Sequence, residues 1–330
     1  MTDDFTELTD LASERLGATV LWANDEFFAP KERLLAEAEP VQDPHRYTDR
    51  GTWMDGWETR RRRQPGHDAC LIRLGCPGVV RGVVVDTRHF VGNAPQAFAL
   101  DGVELVSEGP NLAALLAPDM VWQPLLARHY LVPDAINPFP IAGDDRVTHL
   151  RFSIFPDGGV ARLRVHGEPA PDWQALSRRG EVDLAAAEHG GRVLATSDGF
   201  FGRPHNLILP GPPRGMQDGW ETRRRRGPGH DWVVVRLARP GRINRIEVDT
   251  TFFKGNAPES CRLEGCAPGD YAEDGTPWLT LVERARLEPH ACHELALSEQ
   301  GPPVSHLKLS IFPDGGVARL RAWGRAESEP

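Results

Sequence analysis

"SIFPDGGVARLR" occupies residues 153–164, and the same string returns unchanged at 310–321. Two segments of alternating apolar and polar residues flank Pro-Asp-Gly-Gly, a pattern that reads as strand, turn, strand. Glycine accepts the positive φ that tight turns require, so the expected local structure is a β-hairpin, with Asp157 and Asp314 serving the turn itself. Outward from this string the copying continues. "DGWETRRRRQPGHD" from Asp55 becomes "DGWETRRRRGPGHD" from Asp218, "VDTRHFVGNAP" from Val85 becomes "VDTTFFKGNAP" from Val248, and "NDEFFAP" at Asn24 matches "SDGFFGR" at Ser197. The motifs keep one order in both halves, so the chain is a tandem duplication.

Within each copy, apolar runs of strand length alternate with Gly/Pro turns. "CLIRLG", "VVRGVVVDT", "VTHLRFSIF" and "VARLRVHG" each have a counterpart in the second half. Long amphipathic helices are scarce, and many short strands with frequent turns predict an all-β chain of two antiparallel β-sandwiches or jelly rolls. The expected boundaries are 1–170 for the first repeat with its N-terminal extension, 171–190 for a Pro-rich linker with a helical continuation, and 191–330 for the second repeat.

The 330 residues are 40% hydrophobic and 26% charged, the composition of a globular chain with enough residues for two cores. A net charge of −9 does not track a phosphate backbone, and neither aromatic nor lysine-rich surroundings accompany the four arginines, so no nucleic-acid partner is expected. No apolar stretch approaches the roughly 18 residues of a membrane helix, and the N-terminus "MTDDFTELTDLASERLG" lacks an apolar signal core. No membrane partner is expected, and the cytoplasm is the expected compartment. Five cysteines without a CxxC pair fit reduced thiols better than a disulfide framework. Phosphate-binding glycine loops, HExxH and a Ser-His-Asp signature are all missing, which leaves nucleotide cofactors and acyl-enzyme chemistry without support.

Together, "NDEFFAP", "DGWETRRRR" with "GHD", "VDTRHFVGNAP" and "SIFPDGGVARLRVHG" in tandem duplication resemble the allantoicase family, over roughly residues 20–325. The resemblance implies two galactose-binding-like jelly rolls per chain, a homo-oligomer, and hydrolysis of allantoate to (S)-ureidoglycolate and urea in purine (allantoin) degradation. The alternative from another class is a non-catalytic sugar- or ligand-binding protein built from the same modules, since a fold alone permits both.

Allantoate is a small anion whose central carbon bears a carboxylate and two ureido groups. Its site needs a cationic fork, polar groups that read amides, and groups that move protons. The proton-handling candidates are Glu58, His67, Asp68 and His89; the substrate-binding candidates are Lys31, Arg60, Arg62, Asn93, Arg223, His230, Lys254 and Asn256. In an extended segment Arg60 and Arg62 share one face and Arg61 and Arg63 the other, so one pair can line a pocket while the rest make structural ion pairs. Pro-Gly before His67 and Asp68 presents an imidazole beside a carboxylate, either as acid and base or as a turn whose Asp caps its own amides. Asn93 either reads a ureido group or tolerates a left-handed turn beside Gly92. Trp57 is expected in the core. No cofactor is required by any motif. A divalent metal stays open, because His67, Asp68 and their second-half equivalents are ligating types without a diagnostic spacing. The copies differ at Glu26/Gly199, Lys31/Pro204, His89/Phe252 and Val91/Lys254, which leaves one site, two sites or a composite site open.

Overall fold

The computed structural model describes residues 4–105, 112–272, 275–297 and 301–327. It divides into two compact units, Met1–Ala170 and Pro171–Pro330. Each is an antiparallel sandwich organised by one very long strand: Asp68–Asp86 in the first unit and Asp231–Asp249 in the second, 19 residues each. The segments expected as two strands, "CLIRLG" and "VVRGVVVDT", are thus continuous.

The long strand serves both layers. In the first unit its N-terminal half pairs with Arg146–Phe155 and Thr19–Ala23, and Arg146–Phe155 continues the layer to Ala97–Val103. Gln123–Tyr130 forms the outer edge beyond Ala97–Val103. The C-terminal half pairs with Arg162–Pro169 and Ile136–Pro140. The hand-over falls at Pro77-Gly78, where the missing proline N–H and the absent Cβ suit a bend between layers. A Cβ on Gly78 would stand 2.8 Å from the Glu168 carbonyl. Pro240-Gly241 repeats the device, with Arg319–Ala326 and Val304–Phe312 taking over the two roles.

The expected hairpin around "PDGG" is corrected by these pairings. Arg146–Phe155 and Arg162–Pro169 pair with opposite ends of the long strand and not with each other. The residues between them carry the chain from one layer to the other, a span that a tight two-residue loop cannot make. Gly159–Val160 pair instead with Trp57–Glu58. Gly158 does take the positive φ, 136°, and a Cβ there would lie 2.5 Å from the Asn93 carbonyl.

β-Branched and aromatic residues on alternate positions fill the space between the layers. Val83, Val85, Phe98, Leu100, Phe152 and Ile154 are each fully buried, as are Trp57 and Trp220. Trp57 belongs to the core as expected, and its indole N–H donates to the Asp25 carbonyl at 2.8 Å. At the start of the second unit a helix Trp173–Arg178 falls in the expected linker, but that linker is in part packed structure. Val182–Asp183 pair with Arg319–Ala326, and Leu184–Ala187 are buried, so residues 182–190 are built into the second unit. Among the described residues no helix is long and apolar enough to cross a membrane.

Candidate functional site

The segment from Trp57 to Asp68 enters as a buried strand pair, runs extended through the arginines, turns at Pro65-Gly66 and re-enters as the long strand. Thr59 anchors it: its amide donates to the Gly158 carbonyl at 3.1 Å and its hydroxyl accepts from the Gly158 amide at 3.1 Å. Thr222 and Gly315 repeat both contacts.

Alternation then sorts the arginines. Arg60 donates its backbone amide and Nε to Asp25, at 2.9 and 2.6 Å. Arg62 donates its amide to Asp157 at 2.8 Å and Nη1 to Asp68 at 2.5 Å. Asp157, and Asp314 with Arg225, thus hold structure, as their turn positions suggested. Arg61 and Arg63 are exposed and make no hydrogen bond or ion pair among the described residues. The anion capacity left over therefore sits with Arg61, Arg63 and the outer edge of Arg60, while Arg62 is committed to Asp68. All four line an open cavity of about 590 Å³ together with Asn24, Asp25, Gln64 and Asp68.

Asp68 is the buried carboxylate of that cavity. Its Oδ1 accepts from Asn24 at 2.8 Å and from Arg62, whereas Oδ2 is buried without a hydrogen-bond partner. A buried carboxylate oxygen left without a partner is a costly feature that a functional role would explain. In the second unit Ser197 replaces Asn24 at Asp231, and Asp198 and Arg223 repeat Asp25 and Arg60.

His67 does not join Asp68. Successive residues of an entering strand point to opposite sides, so Asp68 goes inward while the His67 ring lies on Phe155, centroids 4.9 Å apart. Partial desolvation there, with Arg151 and Arg62 nearby, holds its imidazole below the ordinary range, so it is neutral at pH 7. Among the described residues it makes no hydrogen bond that would orient it. His230 repeats this on Phe312, lowered by desolvation and by Arg262 and Lys308.

Glu58 forms a second buried carboxyl at the start of the segment. It accepts from Asn93 Nδ2 at 2.7 Å, and Glu221 accepts from Asn256 at 2.8 Å. Burial, uncompensated by any cation, pushes the Glu58 carboxyl above the usual range, although the Asn93 bond opposes it. Asn93 is therefore a side-chain partner and not a left-handed turn residue. The left-handed position belongs to His89, φ 71°, whose amide donates to Asp134 at 2.7 Å and whose ring meets the Pro40 carbonyl at 3.2 Å. Lys31 is bound to Glu32 at 2.7 Å and to Glu26 at 3.3 Å, and Lys254 is exposed. Of the candidates only Arg60, Arg62 and Asp68 line the cavity; Lys31, Glu58, His67, His89 and Asn93 do not, and Arg223, His230, Lys254 and Asn256 belong to the second unit. Asn24, Asp25, Arg61, Arg63 and Gln64 are lining residues outside the sequence-derived candidates, which take Arg60 and Arg62 from the arginine run; for Asp25 the aspartate repeated in "ND" and "SD" was the available signal. Among the described residues no three His, Cys, Asp or Glu side chains converge to hold a metal ion.

The model of the allantoicase repeat matches residues 9–170 and again 182–327. A "Probable allantoicase" of Nocardia farcinica is 50% identical over 97% of this chain and 95% of its own length. Another of Pseudomonas aeruginosa is 46% identical over 98% and 97%. The crystal structure of allantoicase from Saccharomyces cerevisiae superposes with a TM-score of 0.82 at 33% identity, covering 96% of this chain and 92% of that one.

Proposed function

The chain belongs to the allantoicase family, and from that membership we infer that it hydrolyses allantoate to (S)-ureidoglycolate and urea. It is a hydrolase of linear amidine-type C–N bonds, and its substrate is a small molecule. The observation that carries this is the match of both repeats, with the full-length relatives behind it. Incubation of the purified protein with allantoate, with urea measured, should give stoichiometric urea and ureidoglycolate. A protein that releases no urea, with or without added divalent metal, does not have this activity.

The chemistry is assigned to the cavity at the arginine run. Breaking the C–N bond requires a proton on the departing ureido nitrogen and removal of one from the attacking water. Asp68 Oδ2 takes the proton from water as hydroxyl adds to the central carbon. Glu58, two positions before Arg60 on the same extended segment and with a carboxyl that burial pushes above the ordinary range, gives a proton to the departing nitrogen; the proton on Asp68 then returns to Glu58 through solvent, restoring both groups. Asn93 orients Glu58, and Arg61 with Arg63 receives the substrate carboxylate.

Two outcomes test these roles. Arg61→Ala combined with Arg63→Ala should raise KM by about ten- to a hundredfold with kcat nearly kept, the scale of a lost charge-assisted hydrogen bond; an unchanged KM sends the carboxylate elsewhere. Because the Glu58 pKa is raised, its acid form survives above the ordinary glutamate range, and kcat/KM should fall as pH rises through the raised value. Glu58→Gln should lower kcat and remove that alkaline limb. A limb that persists in the variant makes Glu58 a structural carboxyl.

The homo-oligomer and the cytoplasmic location belong to the same reading. Val121, Tyr130, Val132 and Ile136 expose apolar surface along and beyond the edge strand Gln123–Tyr130, which supports self-association. All five cysteines are unbridged, which supports a reducing compartment.

A further inference from the structure

The two units are not equal at a second place, the face where Arg162–Pro169 and its counterpart Arg319–Ala326 meet the preceding loop. The loops align through shared contacts: Arg164 Nη2 donates to the Ala36 carbonyl at 2.6 Å, and Arg321 Nη2 to the Leu209 carbonyl at 2.6 Å. In the first unit this place is filled by ion pairs, Arg15 with Glu37 at 2.9 Å and Arg88 with both Asp86 and Glu39. In the second unit all of the filling side chains but Asp86, kept as Asp249, are exchanged: Glu188 stands for Arg15, Pro210 for Glu37, Pro212 for Glu39 and Thr251 for Arg88.

What results is a cavity of about 540 Å³, lined among others by Asp183, Glu188, Asp249, Arg321, Trp323 and Cys292. Asp249, the counterpart of Asp86, has lost its arginine, and among the described residues its side chain accepts only the Thr251 amide, at 2.7 Å. Arg319 and Arg321 remain, but face Asp218 at 2.9 Å and Asp183 at 3.6 Å. Three polar atoms of the lining residues are buried without a hydrogen-bond partner: the acceptor Glu188 Oε2 and the donors Arg321 Nη1 and Trp323 Nε1. Unsatisfied buried groups of this kind are costly unless something completes them.

We propose that this second-unit cavity is a binding site, separate from the arginine-run cavity, for a small molecule carrying a ureido group. Such a group is planar, offers one carbonyl acceptor to the Arg321 and Trp323 donors, and offers several N–H donors to Glu188 and Asp249. Relative to the first unit the place has lost two cations and two carboxylates and gained one carboxylate, a net change of one negative charge, which favours an N–H-rich ligand over an anion. The argument rests on the cavity and its lining and not on the allantoate reaction.

Cys292 provides a reporter, because it lines the cavity and is the one exposed cysteine. Its alkylation by N-ethylmaleimide is followed in the full chain with N-methylurea or methylguanidine, and urea release from allantoate is measured in parallel. N-methylurea should slow the labelling saturably. Glu188→Gln should weaken that protection about tenfold, and Thr251→Arg, which restores the occupant found in the first unit, should abolish it; both variants should keep kcat and the melting temperature. Protection by methylguanidine alone, or by neither compound, overturns the ureido assignment. Protection unaltered in both variants places the ligand elsewhere, and kcat lost together with protection makes this cavity the catalytic centre and overturns the second site.

Discussion

Asp68→Asn should lower kcat for urea release by about a hundredfold or more while leaving KM within a few-fold. The amide keeps the shape of the side chain but offers no carboxylate to take a proton from water, whereas Arg61 and Arg63 still hold the substrate. The structural cost must be separated from the catalytic one, since Asp68 also neutralises Arg62. Asp231→Asn in the second unit supplies that separation, because Asp231 pairs with Arg225 in the same way. Both variants should lose a similar, modest amount of stability, the two arginines being partly exposed and able to recruit water. Only Asp68→Asn should stop catalysis, because the Asn24 contact and a buried Oδ2 without a partner belong to Asp68, whereas Asp231 has Ser197 in place of Asn24. Equal losses of kcat would mean that each unit carries its own site. Unchanged kcat in both would make the repeated Asp a structural carboxylate.

The duplication and the all-β class were legible because both are local: identical strings at separate places, and apolar residues at period two. The hairpin was misread for the same reason. "PDGG" carries a turn signal, and Gly158 uses its positive φ, but pairing partners are chosen by a strand far away in sequence. The long strand Asp68–Asp86 recruits Arg146–Phe155 to one end and Arg162–Pro169 to the other. The candidate site shows the same division. That alternate arginines face opposite ways follows from strand geometry alone. Which pair is consumed depends on Asp25, Asp68 and Asp157, two of which lie well outside the repeated run. His67 and Asp68 are neighbours in sequence and strangers in space, because a strand separates consecutive side chains. Glu58 and Asn93, far apart in the chain, meet because Gly158 and Gly159 let the backbone of one crossing approach the other.

Removing the buried carboxylate of Asp55 should destabilise the first unit more than any other charge change considered. Its side chain and that of Arg162 are each 3% exposed, and they meet at 2.9 Å. Asp55 also accepts from Arg33 Nε at 2.9 Å and from the Val41 amide at 3.0 Å, so one carboxylate ties the loop before the arginine run to the inner layer. Arg162 in turn donates to the Ala38, Asp55 and Ala161 carbonyls. Asp55→Ala leaves the Arg162 guanidinium buried and uncompensated, a loss of about 3–5 kcal/mol. For a unit of this size that corresponds to a drop in Tm on the order of 10 °C. Asp144→Ala, which removes an exposed partner of Arg81, should leave Tm nearly unchanged and is the matched control. Acid sensitivity gives a second readout. Burial alone would raise the Asp55 pKa, but hydrogen bonds from Arg162 and Val41, then Arg33, outweigh it and hold the carboxyl below the ordinary range. The stability it contributes is therefore complete at neutral pH and is lost as pH falls through that depressed value. Asp55→Asn should flatten this part of the stability curve. A melting temperature for Asp55→Ala within error of the Asp144→Ala control would show that the buried pair does not hold the loop, and that the segment carrying Glu58 and Asp68 is positioned by its strand contacts alone.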